Sequence, residues 1–335
     1  MNKDVNKKVL VIGLDGATYD LIMPWIKDGL LPNLSQILSK GVYSELISTI
    51  PMFTPTAWST FMTGKNPGKH GILGFFERNK NSYSTSLINP FKKRGKVLWD
   101  ILSENKKKVI VINVPTTYPP KKVNGILFSG MLTPPNSKNF VYPPNLIDEI
   151  NKVVGKYKIY PYINYSEGFE DDFISEIFSV TEIQTNTAEY LMQNYSWDFF
   201  MIVFCGGDQL QHALWKYIDP KHKKYIKEKE SLYLNVLFEY YKKVDEIIGN
   251  LFKKSGINTI KIIMSDHGFG PLYKFFHINQ WLIKNKLMKF KLNPYTLLKY
   301  ICFKLGMTPD NLYKFFLKIG LGSLRSKMGR EKGHN

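Results

Sequence analysis

The sequence predicts an α/β fold: a mostly parallel central sheet flanked by helices, with an inserted cap region. Three observations lead there. Short continuous apolar runs recur along the chain, the pattern of strands buried on both faces. Stretches of helical period lie between them. Three of the runs end in aspartate-bearing turns, and ligands bind outside the carboxyl ends of strands in open α/β sheets.

Residues 8–14 form the first apolar run, closed by Asp15-Gly16-Ala17. A helix is expected from Pro32, with Leu34, Ile37 and Leu38 on one face and Gly41 as its stop. In the segment 51–64, Thr54 reads as an N-cap, Pro55 suits the first turn, and Gly64 ends the helix. Residues 97–104 read as a helix feeding a strand at 109–114, and 125–129 as the next strand. Residues 134–170 hold several Pro, Tyr and Asn with no clear period, which reads as an insertion. Helical patterns follow at about 172–194 and 228–253, with strands at 199–204 and 260–264. The expected organisation is therefore a core from 1–133 and 196–280, an insertion or cap at 134–195, and a basic helical segment at 281–335.

The composition narrows the class. The 335 residues are 44% hydrophobic and 22% charged, which excludes global disorder. Two cysteines, Cys205 and Cys302, make neither a disulfide framework nor a four-thiolate zinc site. No run approaches the roughly 20 apolar residues of a membrane span. The first apolar run is too short for a signal sequence, so a cytoplasmic protein is expected. The net charge of +18 is unevenly spread: residues 281–335 carry 12 Lys/Arg against Asp310 and Glu331, leaving +8 for the first 280.

Chemistry concentrates at the strand ends. The run at 9–14 leads into Asp15, that at 199–204 into Asp208, and that at 260–264 into Asp266-His267. Carboxylates and imidazoles at that edge suit a metal cluster. Asp208 and His212 are four residues apart, so on a helix both reach one ion. Each aspartate alone also reads as a helix cap or turn residue. A threonine hydroxyl at a helix start faces the positive end of the helix dipole, where phosphate is stabilised. As a nucleophile Thr54 needs a base or a metal; as a cap it needs neither.

The segments 13–16, 54–58 and 63–72, Asp208 with His212, and 265–270 occur in this order. Together they resemble the alkaline phosphatase superfamily, in its type I phosphodiesterase/nucleotide pyrophosphatase branch and most closely the cytosolic predicted phosphohydrolases. Segments 97–100, 114–120 and 129–134 are similar to that group as well. The resemblance covers roughly residues 8–285 and implies an alkaline-phosphatase-like fold with two divalent ions, zinc or manganese. It implies that Asp15, Thr54, Asp266 and His267 hold one ion, with Thr54 also the nucleophile, and that Asp208 and His212 hold the second. A phosphothreonine intermediate would then be hydrolysed. The sulfatase branch is set apart by its modified Cys or Ser nucleophile in a different motif.

Two departures stand out. The family's second ion has a third ligand, a histidine further along; neither His277 nor His334 matches it, so the chain reads as C-terminally truncated or completed by another chain. Phe75 stands where nucleotide pyrophosphatases place a phosphate-binding asparagine. His70 reads as a turn residue, Phe75-Phe76 and Tyr157, Tyr160, Tyr162 and Tyr165 as packing or base-stacking groups, and Cys205 as a small buried residue. The tail, with Leu312, Phe315, Phe316 and Ile319 on one helical face, reads as a cap helix, a membrane-interface segment or an attractor of anionic substrate. No nucleic-acid module is recognised.

The expected function is a metal-dependent phosphohydrolase acting on small anionic phosphodiesters or phosphomonoesters through Thr54. The alternatives are a phosphotransferase or mutase of the same superfamily and a truncated, inactive metal- or phosphate-binding protein.

Overall fold

A computed structural model of the chain describes residues 7–82, 84–163, 165–289, 293–307 and 311. In chain order its elements are β1 (Lys8–Leu14), α1 (Tyr19–Lys27), α2 (Pro32–Lys40), α3 (Thr54–Thr63), α4 (Pro67–His70), β2 (Phe76–Arg78) and β3 (Thr85–Leu87). Next come α5 (Leu98–Glu104), β4 (Val109–Val114), β5 (Gly125–Ser129), β6 (Val141–Tyr142), α6 (Leu146–Val154) and α7 (Glu170–Asn194). The remainder are β7 (Phe199–Phe204), α8 (Gly206–Ile218), α9 (Lys227–Ser255), β8 (Thr259–Met264), α10 (Ile278–Lys284) and α11 (Pro294–Lys304).

The continuous apolar runs pair into one six-stranded sheet of order β6-β5-β4-β7-β1-β8. All neighbours are parallel except β5 and β6. Strand alternation divides each run between two cores. Leu10, Ile12, Ile110, Ile112, Phe200 and Ile202 face a core completed by α7, α8 and α9. Val11, Val109, Val111, Phe199, Met201 and Val203 face the other, where Trp58, Met62 and Trp99 from α3 and α5 lie. Both faces are covered, so the strands carry no polar face, and each buried aliphatic side chain contributes about 1.5–3 kcal/mol. This mostly parallel α/β architecture is the one the sequence predicts. At the sheet edge, Ile260 and Ile262 of β8 are 48% and 42% exposed.

The apparently aperiodic stretch after residue 134 is more regular than expected. It supplies β6, antiparallel to β5, and α6, whose Leu146 and Ile150 are buried. A two-residue strand and a nine-residue helix are too short to impose a period on Pro- and Tyr-rich flanks. The antiparallel pair β2–β3, three residues in each strand, is likewise too short to mark the sequence.

The chain divides into two units, residues 1–273 and 274–335. In the second, α10 and α11 bury no residue, and Asn293 caps α11 by accepting from Thr296 N at 2.8 Å. The expected amphipathic face of Leu312, Phe315, Phe316 and Ile319 lies outside the described residues. Among the described residues no helix is long and apolar enough to cross a membrane.

A buried carboxylate ties the first unit together. Asp245 of α9, 1% exposed, accepts from Asn33 N at 3.0 Å, Asn33 Nδ2 at 2.9 Å and Leu34 N at 2.6 Å. It thus satisfies the free amides that open α2, a helix without a side-chain cap of its own. Asp245→Ala strands those donors and is expected to lower stability by about 3 kcal/mol in denaturant unfolding. A loss under ~0.5 kcal/mol would show that water replaces the carboxylate.

Candidate metal centre

Three turns at the carboxyl edge of the sheet bring the singled-out residues together. Asp15 follows β1, Asp208 lies in the first turn of α8 after β7, and Asp266-His267 follow β8. Because β1 pairs with β7 on one side and β8 on the other, their ends converge. Ligand atoms of Asp15, Asp208 and His267 all lie within 4.8 Å of one another. All three aspartates are buried.

Close backbone approach makes this convergence feasible. At Gly16, φ is +64° and an added Cβ would stand 2.7 Å from Asp208 Oδ1. At Gly13, a Cβ would meet the Trp58 ring at 2.5 Å. The ring packed there donates from Nε1 to Asp15 Oδ2 at 3.0 Å. Gly16 N donates to Asp266 Oδ1 at 3.3 Å, and Gln211 Nε2 donates to Gly16 O at 2.9 Å. Cys205 packs against the second core, as a small residue there would, and its Sγ lies 3.6 Å from Asp15 Oδ2 at the edge of the cluster. Gly13 and Trp58 lie within the segments 13–16 and 54–58, and Gln211 lies between Asp208 and His212, but nothing local marks these three for their supporting roles.

Thr54 is the first residue of α3, with Phe53 in the extended N-cap conformation. It is therefore one place inside the helix rather than its cap. The hydroxyl does not turn back to the helix amides. Its Oγ1 lies 3.4 Å from Asp15 Oδ1 and 3.1 Å from His267 Nε2. The His267 tautomer follows from the other ring nitrogen. Nδ1 stands 2.8 Å from Gly268 O, which only accepts, so Nδ1 carries a proton and Nε2 is the nitrogen turned to the cluster. His267 Nε2 is 3.6 Å from Asp15 Oδ1 and 3.5 Å from Asp266 Oδ2.

His212 is joined through Asp208, its Nε2 3.4 Å from Asp208 Oδ1 along one face of α8. Its side chain is 69% exposed and meets the Phe269 ring edge-on, centroids 4.8 Å apart. His70 remains outside the cluster: its Nδ1 accepts from Ile72 N at 3.1 Å and its Nε2 meets Thr60 Oγ1 at 2.9 Å. Phe75 packs edge-on against Phe53, beside Thr54.

Burial and mutual repulsion dominate the electrostatics. Asp15 is raised well above the usual carboxylate range by desolvation and then by Asp266 and Asp208, with His267 and the Trp58 N–H opposing. Burial also raises Asp208, against the pull of His212 and His267. Asp266 is pushed up to about 7, mainly by burial. Desolvation, followed by the carboxylates, drives the Cys205 thiol up. Asp208 Oδ1 and Asp266 Oδ2 are buried without a hydrogen-bond donor. Oxygen-rich donors with imidazole lone pairs, and orphaned carboxylate oxygens among them, fit a divalent cation.

The family model described as type I phosphodiesterase / nucleotide pyrophosphatase matches residues 9–313. Phosphonoacetate hydrolase from Sinorhizobium meliloti 1021 is structurally similar in its complexes with phosphonoformate and phosphonoacetate, with TM-scores of 0.57 and 0.58. Sequence identity is 16%, and the match covers 83% of this chain and 62% of that one. The likeness establishes an alkaline-phosphatase-like fold, and this chain spans about 62% of that protein's length. Murine ectonucleotide pyrophosphatase / phosphodiesterase 5 matches with TM-score 0.45 and 17% identity, over 78% of this chain and 57% of that one. No curated protein matches the chain in sequence.

The raised carboxyls set a pH dependence for the metal-free chain. Asp266 holds its proton up to about 7 when folded, against an ordinary 3.8. Stability from this protonation is complete below about 4 and is lost as pH rises through about 7, because the folded state binds more protons in that window. The melting temperature of the chelated chain should therefore fall less steeply across that window in Asp266→Asn than in the unsubstituted chain. Parallel curves would contradict the assignment.

Proposed function

The chain belongs to the type I phosphodiesterase/nucleotide pyrophosphatase family, and we propose that it is a divalent-metal-dependent phosphohydrolase with Thr54 as its nucleophile. The substrates are small phosphodiesters or phosphomonoesters. The observation that carries this reading is the direction of the Thr54 hydroxyl, turned from its own helix toward Asp15 Oδ1 and His267 Nε2.

In this reading Asp15, Thr54, Asp266 and His267 would hold one ion, and Asp208 and His212 the second; the family resemblance implies zinc, and the carboxylate-rich donors are also compatible with manganese. Bound divalent ions lower the pKa of a coordinated hydroxyl and neutralise charge on phosphate oxygens. The protein's own groups do the positioning. The start of α3 places Thr54 Oγ1 at the positive end of the helix dipole, where a phosphate is favoured. Trp58 fixes the Asp15 carboxylate by its indole N–H, and Gly268 O fixes the His267 ring. Both partners orient their ligands; the carbonyl acceptor raises the basicity of the imidazole, whereas the indole donor lowers that of the Asp15 carboxylate.

The reaction is attack by Thr54 Oγ1 on phosphorus with rupture of the ester P–O bond, the hydroxyl proton ending on the departing alkoxide oxygen so that the alcohol is released. Water then cleaves the Thr54 phosphoester, releasing phosphate or a monoester and restoring the hydroxyl.

Hydrolysis of bis(4-nitrophenyl) phosphate with added zinc or manganese tests this. Thr54→Ala should lower kcat/KM by more than about a thousandfold while the metal still binds. Retained turnover removes Thr54 as nucleophile, and turnover undiminished after chelation removes the metal. Trp58→Phe keeps the ring but deletes the donor to Asp15, and should weaken metal affinity by about tenfold in a competition titration. Unchanged affinity would mean that the indole only packs.

A further inference from the structure

The segment 114–120, singled out in the sequence, takes no part in the centre above. It forms the turn after β4, which neighbours β7 in the sheet, so it lies on the same carboxyl edge as Asp208. Thr116 there has φ +63°, a left-handed conformation that a β-branched residue rarely adopts. The surroundings hold it. Thr116 N donates to Met131 O at 3.1 Å, and Thr117 Oγ1 donates to Val114 O at 2.7 Å while accepting from Gly130 N at 3.0 Å. Backbone strain maintained by surrounding bonds concentrates at binding and catalytic sites.

This turn borders a pocket whose walls include Pro90, Lys93, Trp99, Thr116 and Lys121. Lys93 Nζ lies 3.4 Å from Thr116 Oγ1 and 3.5 Å from Thr116 O, and also touches Met62 Sδ. Thr116 Oγ1 in turn is 3.5 Å from Ser59 Oγ of α3. Among the described residues no carboxylate is within ion-pair distance of Lys93. Burial, then the Lys121 ammonium, pushes its pKa down to about 7, with Asp100 opposing. A largely buried amine without a counter-charge is a costly arrangement that an anion relieves. The innermost space is about 20 Å³, room for one water-sized group. A ligand therefore enters by one or two atoms rather than whole, as the oxygen of an oxyanion does.

We propose that this pocket is an oxyanion subsite, in which Lys93 Nζ, Thr116 Oγ1 and the Lys121 ammonium hold a phosphate group at the rim of the sheet. The group is either free phosphate or a second phosphate of a substrate bound at the centre. Phosphate binding itself does not depend on the proposed hydrolase reading, whereas assignment to a substrate group does.

Calorimetric titration of the full chain with inorganic phosphate, in an Asp15→Asn background that disables the metal centre, reads the subsite without turnover. Saturable binding is expected, weakened about tenfold by Lys93→Met, which removes a charge-assisted contact. Lys121→Met, at an exposed position that leaves the fold intact, should weaken it by about threefold. Absence of binding, or equal affinity in all three proteins, overturns the proposal. With Asp15 intact, KM values for bis(4-nitrophenyl) phosphate and for a diester bearing a second phosphate are compared in Lys93→Met. A larger KM increase for the second compound assigns the subsite to substrate; equal effects alongside weakened phosphate binding assign it to free phosphate.

Discussion

Three buried carboxylates at the ends of adjacent strands are the constraint around which the first unit is built. Asp15, Asp208 and Asp266 repel one another in a site nearly closed to water, and each is pushed toward its protonated form. Bringing like charges together without water is unfavourable unless donors or cations compensate. The compensation is partial: the Trp58 indole, Gly16 N and the two histidines supply some of it, while Asp208 Oδ1 and Asp266 Oδ2 have no donor. A site that holds negative charge in excess of its donors has an electrostatic demand for cations, and His267 Nε2 is aimed into it.

The sheet makes that arrangement rigid. β1, β4 and β7 are buried on both faces, so their carboxyl ends are held by two cores rather than by loops. α3 and α8 both begin at this edge and direct their positive ends there, one carrying Thr54 and the other Asp208. Gly13 lets Trp58 descend onto β1, and Gly16 lets the β1 and β7 turns meet; a side chain at either would separate the parts. Around the β4 turn the rim carries the opposite charge, with Lys93 and Lys121 lining the pocket beside Thr116 where the neighbouring strands offer aspartates.

Much of this was legible in the sequence where the local signal and the tertiary role coincide. The runs at 109–114, 125–129 and 199–204 are strands with those bounds, because a near-continuous apolar run, broken only by Asn113 and Ser129 near the strand ends, reflects burial on both faces. The helices at 32–40 and 54–63 end at Gly41 and Gly64 as their composition requires. Elements too short for a period, β6, α6 and the β2–β3 pair, left no such mark. Thr54 shows the other limit. Threonine followed by proline reads as a cap from local preference, yet its hydroxyl faces residues 39 and 213 positions away.

The sequence by itself determined the parallel α/β class, the strand ends that carry Asp15, Asp208 and Asp266, and the helical pairing of Asp208 with His212. Those are consequences of hydropathy, turn residues and a spacing of four, all local. Only the tertiary structure decided that β1 lies between β7 and β8, so that the three carboxylates converge, that Trp58 rather than a nearer residue orients Asp15, and which nitrogen of His267 faces the cluster. It also decided that Lys93, unremarkable in a lysine-rich chain, is largely buried against the strained Thr116 turn. Strand order and long-range contacts are settled by packing among distant segments, and no local pattern encodes which segment becomes which neighbour.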